Sequence, residues 1–323
     1  KLKYNFKYLT FDKYLIKNND YCISYLSIKN IVNLLSCKVI LTTHGILFHE
    51  LIKRRKIKTV NVGHGVQTTI MKKDSSNFGL FEEVWLSSDF DKNILANKCN
   101  YKFNNLFTTG FIKHKVMIDN EKLKDKIKFE ANLKYNYWLY APTASSNNIV
   151  KVNNIFHSKN MNLLKEINRL SKANNYITII KPHYNDYIFQ KNKQEIINLI
   201  ESSSNLIYFQ DINLENEEYL INISDLLITD WSSIYLDFLI LDKPIVFLDS
   251  PKRKEHLELS DYFDNEIIKR CKTYEEFNGE ISNFKNNKIE NVNKDLKKLI
   301  FENFNFNTID ENYKKRLENL IEQ

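Results

Sequence analysis

Short apolar runs, rich in β-branched residues, alternate along the chain with longer stretches in which apolar residues recur every three or four positions. The short runs predict strands at 39–43, 59–63, 83–87 and 106–110, and a second set at 137–141, 176–181, 206–210, 225–229 and 244–248. Runs that are apolar on successive residues suit strands covered on both faces, as in parallel sheets. Between them, Leu163, Leu164, Ile167 and Leu170 share one helical face, and Ile196, Ile197 and Ile200 share another. Strand–helix alternation of this kind predicts an α/β protein with parallel sheets.

The charge-dense stretch 119–134, an exposed helix or a connection, separates the two strand sets. It puts a boundary near residue 130, with one Rossmann-like domain over 1–130 and a second over 131–323. Beyond residue 270 the pattern turns helical and polar, through 274–284, 292–301 and 309–321, which predicts a helical C-terminal tail.

Composition removes several classes. With 43% hydrophobic and 27% charged positions, there is enough apolar material to offset chain entropy, so the chain is no disordered tail. Only 6 Gly and 4 Pro exclude collagen-like and low-complexity readings. Cys22, Cys37, Cys99 and Cys271 lack CxxC or CxxH spacing. Neither a disulfide framework nor a structural zinc site is expected, and a reducing, cytoplasmic compartment fits. No apolar run nears the ~20 residues of a membrane-spanning helix, and the opening residues lack the apolar core of a signal peptide.

The formal net charge of +7 is a modest excess that suits phosphates or a lipid surface. Four adjacent cations, Lys53, Arg54, Arg55 and Lys56, close a predicted helix. There they complement its negative end or meet anionic headgroups. No nucleic-acid-binding module accompanies them, so nucleic acid is not an expected partner.

In parallel sheets, ligands bind beyond the carboxyl ends of the strands, and four strand ends carry chemistry. Gly63-His64-Gly65 follows the second strand. Its glycines permit a sharp turn, and a histidine there can take a proton from a hydroxyl nucleophile. A structural histidine in a tight turn fits equally, and His44-Gly45 has the same form. Lys181-Pro182-His183 follows 176–180; the proline ends the ladder, and His183 enters the crevice, to offset phosphate charge or to bond a neighbour. The most specific block is Ser224-Asp225-Leu226-Leu227-Ile228-Thr229-Asp230-Trp231-Ser232-Ser233, then Asp237. A buried strand runs here into hydroxyl and carboxylate residues that open a helix, so that Ser232 or Ser233 meets phosphate oxygens at the helix start. Asp237, four residues after Ser233, lies on the same face and suits a ribose hydroxyl. Ala141-Pro142-Thr143-Ala144-Ser145-Ser146 adds further hydroxyls.

Taken in order, His64-Gly65, Thr109-Gly110-Phe111, Tyr140-Ala141-Pro142-Thr143, Lys181-Pro182-His183 and the block from Ser224 to Asp237 with Lys243-Pro244 resemble the CDP-glycerol glycerophosphotransferase family, the teichoic acid and capsule polymerases. The resemblance implies a GT-B architecture, two Rossmann-like domains facing across a cleft. It implies transfer of a polyol phosphate from a CDP-activated donor to a hydroxyl of a cell-surface glycan, with no cofactor and no metal. His64 would be the base and His183 would contact the donor pyrophosphate. Thr229, Ser232 and Ser233 would bind phosphates, with Thr143, Lys181 and Asp230 in the same donor site. Asp237 would hold the ribose, and Gly63, Gly65 and Gly110 would form turns.

Two departures from the family pattern stand out. Ala144-Ser145-Ser146 replaces an aromatic-Arg-Asp sequence, so that loop lacks a cation, and Trp231 replaces a tyrosine. The alternatives are a GT-B glycosyltransferase using a nucleotide sugar, a nucleotide-sugar epimerase, and a non-catalytic nucleotide- or glycan-binding protein. A lipid-linked acceptor would place the protein in the cytoplasm, peripheral at the inner face of the plasma membrane.

Overall fold

A computed structural model describes residues 8–10, 22–24, 28–43, 49–63, 81–98, 103–143, 156, 161–183, 193–214, 218–250, 268–286, 290–302 and 304–322. His44, His64, Gly65 and residues 144–146 lie outside this set. Each of the nine apolar runs forms a strand. Three short strands lack such a run: β1 (Tyr8–Thr10) and β2 (Cys22–Ser24), which pair with each other, and a last strand, 270–271.

The first set forms a four-stranded parallel sheet in chain order: β3 (Val39–Thr42), β4 (Lys58–Asn61), β5 (Glu83–Leu86) and β6 (Leu106–Thr108). Helix α1 (Ile28–Ser36) precedes it, α2 (His49–Arg54) joins β3 to β4, and α3 (Asp89–Lys98) joins β5 to β6. The charge-dense stretch becomes two helices, α4 (Ile112–Glu121) and α5 (Lys124–Glu130).

The second sheet holds β7 (Asn136–Tyr140), β8 (Tyr176–Ile180), β9 (Leu206–Tyr208), β10 (Ser224–Thr229), β11 (Ile245–Leu248) and β12 (Arg270–Cys271), all parallel. Its order is β12-β11-β10-β7-β8-β9. The chain therefore starts at the centre, runs out through β8 and β9, and returns to the other side of β7 with β10. The reversal between β7 and β10 makes that pair the switch point, where such sheets open a crevice. The helices of this half are α6 (Met161–Ala173), α7 (Lys193–Glu201), α8 (Tyr219–Ile223), α9 (Ile234–Ile240) and α10 (Tyr274–Lys285); α11 (Glu290–Phe301) and α12 (Ile309–Glu322) come after them.

Both faces of this sheet are covered, and the two-residue period of a strand shows it. Tyr137 and Leu139 enter one core with Ile179 and Leu227, whereas Trp138 and Tyr140 enter the other with Leu226 and Ile228. That is why the runs read as continuously apolar.

The two halves exchange helices. Met117 of α4 and Ile127 of α5 lie in the same core as β7 and β8, and Asn222 of α8 donates to the Met117 carbonyl at 2.8 Å. In the other direction, α12 packs on the first sheet. Tyr313 meets the Trp85 ring edge-on at 4.7 Å, and Lys58 Nζ donates to the Leu320 carbonyl at 2.9 Å. Arg316 pairs with the buried carboxylate of Glu83, with its guanidinium 3.6 Å over the Phe107 ring. Among the described residues, no helix is long and apolar enough to cross a membrane.

Candidate active site

At the switch point, the ends of β7, β10 and β11 are tied together by Asp230. Its Oδ1 accepts from the Thr143 amide at 2.7 Å and from the Trp231 amide at 2.6 Å, and its Oδ2 accepts from Ser250 Oγ at 2.7 Å. Thr229 is fully buried, and its hydroxyl donates to the Ala141 carbonyl at 2.7 Å. Both residues were expected to hold the donor. Their polar atoms are instead engaged by the protein, because buried groups without water must find internal partners. Their bonds hold the ends of β7, β10 and β11 in register.

Trp231 adds to this tie. Its indole donates to the Ser250 carbonyl at 2.8 Å, and the Arg270 guanidinium lies 3.5 Å over its ring while donating to the Asp230 carbonyl at 2.8 Å. The chain then turns into α9. Ser233 already has helical angles (φ −61, ψ −9) and makes no side-chain capping bond; it is exposed and Ser232 half-buried. The Ser233 hydroxyl is therefore not used to cap its own helix. Across the switch point, the Thr143 hydroxyl is buried and has no hydrogen-bond partner among the described residues. An orphaned hydroxyl at a strand end is costly unless a ligand or water takes it.

Two other expected residues stand after β8. The Lys181 amide donates to the Tyr140 carbonyl at 2.9 Å, and its ammonium leans toward β9, 5.2 Å from the centroid of the Phe209 ring. His183 is exposed at the same edge.

Asp237, the expected ribose contact, lies on α9. Its carboxylate is held by Lys113 of α4, with Nζ 2.9 Å from Oδ1 and 3.0 Å from Oδ2. His114 Nε2 stands 3.3 Å from Oδ1. Asp237 thus carries an ion pair between the two halves. Burial raises the Asp237 pKa, but the Lys113 charge and the His114 contact outweigh it and hold the carboxyl below its ordinary range. Burial pushes the fully buried His114 imidazole down, against the pull of Asp237. The trio thus joins a part-exposed lysine, a carboxylate and a fully buried imidazole. His114 sits among Phe111, Phe301 and Phe306, with ring centroids 5.2, 6.0 and 6.2 Å away.

At the first sheet, Gly63 ends the described part of the β4 turn with φ +65, and a Cβ there would lie 2.4 Å from Phe111 Cε1. Gly110 has φ +77, and a Cβ would lie 2.6 Å from both Ile309 Cγ1 and Phe304 Cζ. Only glycine fits either position. A line of contacts thus runs from Gly63, the residue before His64, through Phe111 and His114 to Asp237 on α9. It joins the carboxyl edge of the first sheet to the helix that starts at the switch point.

The basic run is exposed. Lys56 is left-handed (φ +56), and the Ile57 amide donates back to the Ile52 carbonyl at 3.3 Å, so the run also closes α2 as a C-terminal cap. Sequence reasoning passed over Lys113, His114 and Arg270. The first two stand shortly after the end of β6, and that position at the carboxyl edge of a strand was the signal that could have found them.

The teichoic acid poly(glycerol phosphate) polymerase of Bacillus spizizenii (strain ATCC 23059 / NRRL B-14472 / W23) is 35% identical over 139 residues, 42% of this chain and 31% of that protein. The chain thus aligns with about a third of that relative's length. Among solved structures, a variant of the wall teichoic acid polymerase TagF soaked with CDPG superposes with a TM-score of 0.68 at 14% identity, covering 98% of this chain and 82% of that one. A glycosyltransferase from Rickettsia africae ESF-5 superposes at 0.51 with 14% identity, covering 97% and 89%; these two likenesses show the fold. Matched from residue 2 to residue 323, the chain belongs to the CDP-Glycerol:Poly(glycerophosphate) glycerophosphotransferase family.

Proposed function

We propose that the protein transfers a polyol phosphate, glycerol phosphate or a similar group, from a CDP-activated donor to a hydroxyl of a teichoic acid, capsule or other surface-glycan acceptor. The observation that carries this reading is the β7–β10 switch point. There the unpartnered Thr143 hydroxyl and the uncapped start of α9 at Ser232 and Ser233 share an edge that Asp230 holds together.

The chemistry comes from the groups available. His64 takes the proton of the acceptor hydroxyl as its oxygen attacks the phosphorus that carries the polyol. The bond from that phosphorus to the bridging oxygen breaks, and CMP leaves with the electron pair. Thr143, Ser232 and Ser233 donate to phosphate oxygens, and His183 and Lys181 offset the charge that builds on the leaving nucleotide. Asp230 and Thr229 keep the strand ends in register. The acceptor is lipid-linked in this reading. The exposed Lys53, Arg54, Arg55 and Lys56 then face anionic headgroups at the inner side of the membrane.

The test is CMP release from CDP-glycerol with an oligo(glycerol phosphate) primer. CMP should form only with primer present; release of CDP or UDP from a nucleotide sugar instead would support sugar transfer. His64→Ala should lower turnover by about 10²–10⁴-fold, the range of a general base, with CDP-glycerol affinity kept. Ser233→Ala should mainly weaken donor binding. Near-normal turnover in the first variant, or unchanged donor affinity in the second, removes that residue's role.

A further inference from the structure

We propose that Lys113 is a donor-binding cation: it leaves the first sheet's edge, is tethered by Asp237, and meets the donor's diphosphate beside Ser232 and Ser233. This rests on the CDP-activated donor proposed above and adds a ligand contact from the opposite half of the molecule.

Charge sets the requirement. A diphosphate diester carries two negative charges, and an ionised carboxylate one helical turn beyond Ser233 repels it. Asp237 is such a carboxylate. Lys113 cancels it, with Nζ within 3.0 Å of both oxygens. The neighbouring His114 is fully buried, so its ring is closed off from a ligand.

The second half's own cations at this edge rest on other side chains than Asp237. The Arg270 guanidinium is stacked on Trp231 and bound to the Asp230 carbonyl. The Lys181 ammonium leans over Phe209 on the β9 side. Lys113 comes after Gly110 and Phe111 in the first turn of α4, so a strand end of the first sheet delivers it to the helix of the second.

Geometry leaves it able to bind. An ammonium has three N–H donors, and the two carboxylate oxygens occupy at most two. The Lys113 side chain keeps 26% of its surface exposed, against 14% for Asp237, so the cation is the more accessible member of the pair. A lysine held in place beforehand gives up little further freedom when the phosphate arrives.

The test is isothermal titration with CDP-glycerol, in wild type, Lys113→Met and the double variant Lys113→Met with Asp237→Asn, with melting temperatures recorded alongside. Lys113→Met should weaken binding by about 10- to 100-fold, the range of a lost charge-assisted bond. The double variant should bind more tightly than Lys113→Met by several-fold, because the bare carboxylate has gone, yet remain weaker than wild type. Binding of Lys113→Met within twofold of wild type overturns the proposal, as does a double variant no tighter than the single one. If Lys113→Met does not fold, the double variant decides alone: wild-type affinity there overturns the proposal, and weaker binding supports it. Failure of the wild type itself to bind CDP-glycerol removes the donor reading and this one together. Normal wild-type binding with indifferent variants removes only this one.

Discussion

The two carboxyl edges that meet at this site are built in different ways. The edge of the second sheet holds itself: Asp230 takes three hydrogen bonds from Thr143, Trp231 and Ser250, all within a few residues of its own strand ends. The edge of the first sheet is held by segments from elsewhere. Gly63 abuts Phe111, and Gly110 abuts Ile309 and Phe304. The second sheet's edge is therefore locally prepared, whereas the first sheet's edge, where Gly63 precedes His64 in sequence, takes its shape from the docking of α4 and α12.

That contrast can be broken at either end. The largest effect is expected for Gly110→Ala, which must hold a left-handed angle and displace Ile309 and Phe304. It should cost roughly 2–4 kcal/mol in urea denaturation. Turnover should fall while CDP-glycerol binding survives; equal losses of both would erase the distinction between the edges. Asp230→Ala should cost less, about 1–3 kcal/mol for groups left unpaired, with the opposite pattern, a loss of donor affinity. An unaltered dissociation constant would detach Asp230 from the donor side.

The smallest effect is a slope with pH. Lys243 fastens α4 to the second half: its buried ammonium donates to the carbonyls of Ile221 and Asn222 at 2.8 and 2.5 Å and lies 3.1 Å from Glu121. Burial pushes its pKa down to about 8, against the pull of Glu121, from an ordinary value of 10.5. Between those values the unfolded chain holds more protons than the folded one, so this group makes the protein gain stability as pH rises. The raised tyrosine and cysteine groups act in the other direction, but they are common to both proteins in a comparison with Lys243→Met. The melting temperature of wild type relative to that variant should climb from about pH 7.5 to about pH 10. A flat difference would mean that Lys243 is not buried as a charge.

Much of this was readable in the chain. The strands from β3 to β11 were legible because a strand buried on both faces must be apolar at consecutive positions. The β10 block was legible because hydroxyl and carboxylate residues break the apolar run abruptly at its end. The three unread strands, β1, β2 and β12, have two or three residues each, too few for a period to show.

The roles within the block were less legible. Thr229 and Asp230 look, in one dimension, like the serines beside them. What separates them is burial and partner: Ala141 for one, Thr143 and Ser250 for the other.

The sequence alone thus determined the α/β class, the positions of the longer strands and the family, since these rest on local patterns of polarity and short motifs. Only the tertiary structure decided that Asp237 answers to Lys113, that α12 returns to the first sheet and that Gly110 must be bare. Those facts join residues far apart in the chain, and no local pattern encodes which distant side chain fills a given space or neutralises a given charge.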